Sequence, residues 1–229
     1  IITITQFSKL RLHQLLPFKS IPIQVVYQAS GLSKNFAHSD LQSTTQSPYF
    51  LHVGVLEKRK NLSLLIQAFD KLTKMEGYES LRLVLVGQRG PRETLDDYDH
   101  LVELVTTLGL TDKVDFTGYV SQEQLASYFQ HALGYVFPST NEGFGLPVLE
   151  AFSFGLPVII SCQGALMEVA GDAALILEKN EEESLIQSMK LLVDDPDLRK
   201  ELGEKGRIRL QEFSAEKFYL SLVKTPQLC

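Results

Sequence analysis

The chain is poor in the features that mark metal-bound, disulfide-stapled or membrane-spanning proteins. It has two cysteines in 229 residues, Cys162 and Cys229, with no Cys-x-x-Cys. That excludes a disulfide framework and a thiolate metal site, and leaves two free thiols in a cytoplasmic protein as the expectation. Its histidines, His13, His38, His52, His100 and His131, are scattered, and none stands four residues from another. No helical metal pair exists, so no metal site is expected. No apolar run approaches the roughly 20 residues that a membrane helix needs. Association with a membrane surface stays open. Positive charge is scarce as well: 22 Lys and Arg stand against 28 Asp and Glu, a formal net charge of −6. A broad nucleic-acid or anionic-membrane surface is therefore not expected, and any anion site must be local. The opening "IITITQFSKLRLHQLL" has no basic segment followed by an apolar core, so no signal peptide is expected. It also lacks an initiator methionine, and the chain reads as an excerpt of a longer protein.

Three catalytic fingerprints are missing too. A dinucleotide site wants G-x-G-x-x-G directly after the first strand. Here the first strand runs into "HVGVLEKRKN" with Gly54 alone, and "GFGLPV" has two of the three glycines after the wrong strand. Neither G-x-x-x-x-G-K-[ST] nor G-x-S-x-G occurs. These absences set aside a nicotinamide dehydrogenase, a P-loop enzyme and a serine hydrolase.

What is present is an alternation. Hydrophobic residues make up 44% of the chain, enough for one or two domains with a real core. From residue 49, apolar strand runs ("YFLHVGVL", "LRLVLVG", "KVDFTGY", "LGYVFPS", "PVIIS", "AALIL") alternate with helical patterns. In "NLSLLIQAFDKLTKM" the apolar residues Leu62, Leu65, Ile66, Phe69 and Leu72 fall at helical spacing. "LDDYDHLVELVTTLG" is a helix closed by Gly109, and "SQEQLASYFQHA" is one opened by Ser121. "LPVLEAFSFG" has Pro147 near its start and Gly155 at its end. "ALMEVAG" is a short helix, and two more helices span Glu181 to Leu210. Such alternation predicts an α/β fold: a Rossmann-like, doubly wound, six-stranded parallel sheet with helices on both faces. Its strands are apolar throughout, as strands buried on both faces should be. Before residue 49, "IITIT", "FSKLRLHQLL" and "IQVVY" read as strand, helix, strand, and a polar tract follows. The expected domains are 1–30, the tail of a preceding domain; 31–48, a linker; and 49–229, the main domain. No internal repeat or low-complexity tract is visible.

In an open doubly wound sheet, ligands sit beyond the carboxyl ends of the strands, where the strand order reverses. With order 3-2-1-4-5-6 that point lies between the first and fourth strands. The first runs into "GVLEKRKN" and the fourth into "PSTNEGFGLP". Topology alone thus sets Arg59 and Lys60 opposite Glu142, Gly143 and Gly145. A planar fork of donors beside a compact point charge suits a diphosphate, although read alone the pair is equally a solvated helix start. The glycines let a backbone come close to something, and the loop opens a helix whose free N–H groups point into the crevice. A plain turn would explain the glycines alone. Glu142 could merely complement the helix N-terminus. Glu150 lies more than a turn inside, among Val148, Leu149, Ala151 and Phe152, where an unpaired carboxylate is costly. A ribose diol would supply it with donors. An intraprotein hydrogen bond or an exposed helix position are the other readings.

"EGFGLPVLE" resembles the E-x7-E signature of the family-four, or group 1, retaining glycosyltransferases of GT-B fold. "GVLEKRKNLSLLIQAF", "LVLVGQRG", "VDFTGYVSQEQLASYF" and "GALMEVAGDAALIL" are similar to further segments of that family, in its order, over residues 49 to about 215. The resemblance implies the C-terminal half of a GT-B fold: the domain that holds a nucleoside-diphosphate sugar, here with a short remnant of the N-terminal, acceptor-side domain. It implies that Arg59 and Lys60 hold the diphosphate, that Glu142 contacts the sugar and that Glu150 binds the ribose. The backbone of Gly143, Phe144, Gly145 and Leu146 would bind sugar hydroxyls and phosphate. Gly54 and Gly87 would belong to the donor site at the strand ends, and Tyr119 and Val120 would line the base pocket. Many relatives carry Arg where this chain has Val55, so Arg59 must supply that charge. Met167 stands where a proline is usual, which bears on the shape of the nearby loop. The implied reaction is transfer of a hexose to an acceptor hydroxyl with retention at the anomeric carbon. No cofactor is called for, and no metal is required if these cations suffice. The missing N-terminal domain and its acceptor are the implied partners. A non-catalytic nucleotide-sugar-binding module and a GT-B sugar-nucleotide epimerase are the alternatives.

Overall fold

The computed structural model of the chain describes residues 1–16, 21–30 and 47–223. Of the expected linker, 31–48, all but Ser47 and Pro48 lies outside the described residues, as does Cys229. The chain begins with a small unit made of β1 (Ile2–Thr3), α1 (Gln6–Leu15) and β2 (Gln24–Val25). Its two strands pair in parallel, Ile2 opposite Gln24 and Thr3 opposite Val25.

The main body then alternates. In chain order it runs β3 (Tyr49–Val53), α2 (Leu62–Thr73), β4 (Arg82–Val86), α3 (Tyr98–Thr107), β5 (Val114–Gly118) and α4 (Gln122–His131). It continues through β6 (Gly134–Phe137), α5 (Leu146–Phe154), β7 (Val158–Ser161), α6 (Leu166–Ala170) and β8 (Ala174–Leu177). Three helices close it: α7 (Glu182–Asp194), α8 (Pro196–Leu210) and α9 (Ala215–Val223). The six strands lie in the order β5-β4-β3-β6-β7-β8, every pair parallel. Counted from β3 this is the expected order 3-2-1-4-5-6. Parallel neighbours need a crossover rather than a hairpin, and the helices provide it.

Strand alternation builds one apolar layer on each face. Phe50, Leu83, Leu85, Val136 and Ile159 point to one face, where α2, α3 and α7 cover them. Tyr49, Leu51, Val84, Val86, Tyr135, Phe137, Val158 and Ile160 point to the other, under α4, α5 and α6. The five residues spaced helically in α2 (Leu62, Leu65, Ile66, Phe69 and Leu72) are all fully buried. The helix ends follow their local signals. Ser121 accepts from Gln124 N at 3.2 Å while Gln124 Oε1 accepts from Ser121 N at 3.0 Å, a complete capping box. Gly155 closes α5 at φ +67°.

Two boundaries differ from expectation. The helix expected from Leu95 begins at Tyr98, because the preceding residues serve tertiary bonds. Asp96 Oδ1 accepts from Gly90 N at 2.7 Å, and Asp97 N donates to Leu56 O at 3.0 Å. The sequence reading stopped at Leu210, whereas α9 follows, opened by Ser214 Oγ accepting from Lys217 N at 3.2 Å. No helix among the described residues is long and apolar enough to cross a membrane.

The ends of β3 and β4 touch through backbone alone. Gly54 N donates to Val86 O at 2.9 Å and Gly87 N to Gly118 O at 3.1 Å. A Cβ on Gly87 would lie inside the van der Waals sphere of Gly54 O, and Gly87 sits at φ +153° besides. The Gly87→Ala variant is therefore expected to lose about 3 kcal/mol or more of stability. Denaturant unfolding checks this, and a loss under about 0.5 kcal/mol would show that the two strand ends can part freely.

Candidate functional site

At the carboxyl ends of β3 and β6 two loops meet. After β3 the chain makes a single 3-10 turn, Lys58–Lys60, and leaves it through Asn61 in the left-handed region at φ +54°. That turn presents Arg59 and Lys60 in succession. After β6 the chain passes through Pro138, Ser139 and Thr140 to the acidic loop. Thr140 N donates to Arg59 O at 2.8 Å, and Thr140 Oγ1 reaches the same carbonyl at 3.2 Å. The backbone contact fixes the distance between the loops before any charge is considered.

The charges then converge. Glu142 Oε1 accepts from Arg59 Nη1 and from Lys60 Nζ, both at 2.6 Å. Arg59 Nε also bonds Glu57 Oε2 at 2.8 Å. Two cations and two carboxylates thus form one chain of contacts. Lys60 is buried, with its Nζ 4.4 Å from the centre of the Phe137 ring. Burial pulls its pKa below the usual lysine value, and the Glu142 carboxylate pulls the other way. The topological expectation that sets the basic pair opposite Glu142 agrees with this geometry. Val55 is more than a third exposed.

The acidic loop runs into α5. No acceptor among the described residues takes the amide hydrogens of Gly143, Phe144, Gly145 or Leu146. Gly145 caps the helix at φ +102°, and a Cβ there would meet Leu166 at 2.8 Å. Gly143 has open space around it, the nearest atom to a Cβ being Ser8 Oγ at 3.9 Å. Phe144 contributes backbone only, for its ring is buried beside Tyr27 and Phe213. Successive unpaired amides at a helix start make an anion-binding concavity. Met167 occupies the second position of α6, where a proline is tolerated because that N–H has no helical acceptor, and any helix former serves there equally.

Glu150 lies one turn further into α5. Its side chain is half-buried and is given no hydrogen-bond donor among the described residues. Burial alone pushes its carboxyl above the usual range. Tyr119 and Val120 follow β5 at the same end of the sheet, Tyr119 being 79% exposed and Val120 half-buried. They follow the strand that lies two positions from β3. Gly54 sits at φ +152° beside Lys60, a Cβ there lying 3.6 Å from Lys60 Cε. Gly87 is accounted for by the close approach of Gly54, a reason within the protein itself.

Sequence reasoning missed two partners. Glu57 stands two residues before Arg59, and that spacing was its signal. His52 was legible as the polar residue within the apolar strand run "YFLHV". It is completely buried, and its Nδ1 lies 2.9 Å from Val136 O. A carbonyl can only accept, so Nδ1 carries the hydrogen. Burial pushes the ring down to about 3, so it is neutral, and its Nε2 is unpaired among the described residues.

Residues 33–209 match the family model described as glycosyl transferases group 1. The O-antigen chain mannosyltransferase B of Escherichia coli is 36% identical over 168 residues, 73% of this chain and 42% of that protein. The mannosylfructose-phosphate synthase of Agrobacterium fabrum is 33% identical over 137 residues, 59% of this chain and 30% of that protein. The chain thus spans less than half the length of these relatives. Among solved structures, sucrose-phosphate synthase from Thermosynechococcus elongatus superposes with TM-score 0.83 at 26% identity, covering 97% of this chain and 56% of that one. Anabaena HepE in complex with UDP-glucose superposes with TM-score 0.82 at 20% identity, covering 98% and 62%. These are glycosyltransferases of GT-B fold, with the same six-stranded α/β architecture.

The burial of Glu150 has a measurable consequence. Its folded-state carboxyl titrates higher than in the unfolded chain, so the folded state binds the extra proton. Stability must then fall as pH rises from the ordinary carboxylate range through the raised value. The Glu150→Gln variant is expected to melt about 2 °C above the parent at pH 7, roughly 0.5–1 kcal/mol for a chain of this size. The difference should close below pH 4. An equal melting temperature at pH 7 would mean that the carboxylate is already paired.

Proposed function

The chain belongs to the group 1 glycosyl transferases, and on that premise we propose that it is the donor-binding half of a retaining hexosyltransferase. In this reading it binds a nucleoside-diphosphate sugar at the β3–β6 crevice and delivers the sugar to an acceptor hydroxyl. The observation that carries the reading is the convergence of Arg59 and Lys60 on Glu142, 2.6 Å from each, beside the unpaired amides that open α5. Support also comes from relatives named as mannosyltransferases and as a sugar-phosphate synthase, and from a structural neighbour solved with UDP-glucose.

The roles follow from the chemistry of the groups. Arg59 and Lys60 take the diphosphate. Its oxygens compete with Glu142 for both cations, and Glu142, once released, turns to the sugar. When the bond between the sugar and the diphosphate breaks, negative charge grows on the leaving phosphate. Arg59, Lys60 and the amides of Gly143 to Leu146 are already aimed at it, so little reorganisation is needed at that moment. Positive charge grows on the anomeric carbon, where Glu142 supports it. An acceptor that attacks from the face the diphosphate leaves gives retention. Glu150, short of partners and held up by burial, gains two donors from a ribose diol. Tyr119 offers an exposed ring for a base, with Val120 beside it. The acceptor binds to the preceding domain, of which residues 1–30 are the tail, with 31–48 as linker. A cytoplasmic setting suits the free thiol of Cys162.

Calorimetry with UDP, GDP and ADP tests the assignment. For whichever binds best, Lys60→Met and Arg59→Gln are each expected to weaken binding about tenfold or more, the scale of one charged hydrogen bond. Unchanged affinity in both variants would remove the diphosphate from this crevice. The chain is also expected to transfer sugar slowly or not at all by itself, since the crevice has one wall. Robust transfer to an added acceptor would contradict the half-site reading.

A further inference from the structure

A second carboxylate, outside the crevice, collects three hydrogen bonds from the opening unit. Glu168 lies on α6. Its Oε1 accepts from Gln6 N at 2.6 Å and from Tyr27 Oη at 2.8 Å, and its Oε2 accepts from Phe7 N at 2.9 Å. The first amides of α1 are thus capped by an acid more than 150 residues along the chain. Tyr27 is held neutral, its hydroxyl pushed up to about 12 by burial and by the Glu168 carboxylate. Arg209 anchors α6 from the other side, Nη2 to Glu168 O at 2.7 Å and Nε to Val169 O at 3.0 Å.

The contacts close into a ring that passes through the acidic loop. Thr5, fully buried, caps α1 and donates its hydroxyl to Gly143 O at 3.0 Å. Ala165, at the start of α6, donates its amide to Glu142 O at 3.0 Å. A Cβ on Gly164 would lie 2.6 Å from that same carbonyl, so the two backbones are in close contact. The circuit runs from Glu168 to α1, to Thr5, to Gly143, to Glu142, to Ala165 and back along α6. Gly143 itself has no side chain and open space around it, so between the ion-paired Glu142 and the buried Phe144 the loop is held at this residue by the bond to its carbonyl.

We propose that Glu168 is a positioning residue for the donor sugar: by clamping the start of α1 it presses Thr5 against Gly143 and fixes where the Glu142 carboxyl and the following amides point. The proposal rests on the donor-site reading above. The diphosphate cations stand on the other loop, after β3; they share the Glu142 carboxyl, but that loop is also tied through Thr140 and Glu57, so they depend on the clamp less than the acidic loop does. Removing the clamp should therefore weaken recognition of the sugar more than that of the nucleotide, which draws on the loop amides but also on the cations.

Glu168→Gln is the direct test. The amide oxygen of Gln accepts, but its NH2 faces an N–H or O–H donor, so at least one of the three bonds must break. Binding of UDP and UDP-glucose is measured by calorimetry, with GDP and GDP-mannose as the pair if the parent binds guanosine more tightly. The expected result is UDP affinity reduced by less than about threefold and UDP-glucose affinity reduced about tenfold or more. Thr5→Val, which keeps Glu168 but removes the bond to Gly143 O, should reproduce the pattern. Equal loss for both ligands, or no loss for either, would overturn the proposal. If the parent binds neither pair, the donor-site reading fails. Amide exchange at Gly143 to Leu146 then decides the coupling by itself: faster exchange in Glu168→Gln supports it, and unchanged exchange overturns it.

Discussion

One oxygen of Glu142, shared between Arg59 and Lys60, joins the two halves of the sheet at the point where its strand order turns. Two adjacent cations, one of them buried, repel each other strongly in a low dielectric. Without Glu142 between them Lys60 would shed its proton or move into water, since burial already pulls its pKa down. The carboxylate makes the pair tolerable. It also holds the two side chains in one register, because both donate to a single atom. On the proposed reading a diphosphate would exchange one partner for another and would not have to bring the cations together.

The rest of the architecture serves this junction. Parallel strands send every carboxyl end to one edge, and reversal of the order at β3 and β6 opens a gap there. Backbone bonds set the gap: Thr140 to Arg59 across it, and Gly54 to Val86 beside it. The helix after the acidic loop adds amides without acceptors among the described residues, and the clamp at Glu168 holds that loop from behind. The crevice is thus built of rigid ends, and the mobile parts are the side chains that meet a ligand.

Much of this was legible in the sequence because local pattern and global topology agree. The helical spacing in α2, the glycine that closes α5 and the apolar strands each gave their element. The connection pattern then gave the strand order, and the strand order put Arg59 and Lys60 opposite Glu142. Glu150 stood out by its apolar neighbours. Tertiary partnerships were harder to read. Glu168 has the same signature as Glu150, an acid within an apolar helix, yet its partners are amides from the far end of the chain. His52 was visible as an oddity, but its bond to Val136 O depends on β6 lying beside β3. The start of α3 shifted by a turn because Asp96 and Asp97 bond to other loops, which local propensity cannot register. The tract 31–48 bears on the domain boundary and lies almost wholly outside the described residues.

The claim at the centre is that this junction, and no other part of the surface, takes the diphosphate. Amide hydrogen exchange of the chain with and without the nucleoside diphosphate tests it most directly. The account expects protection at Gly143 to Leu146 and in the turn around Arg59 and Lys60, with none at the opposite ends of the strands near Tyr49, Arg82 and Gly134. Protection confined to any other surface, with Gly143 to Leu146 exchanging as fast as before, would contradict it.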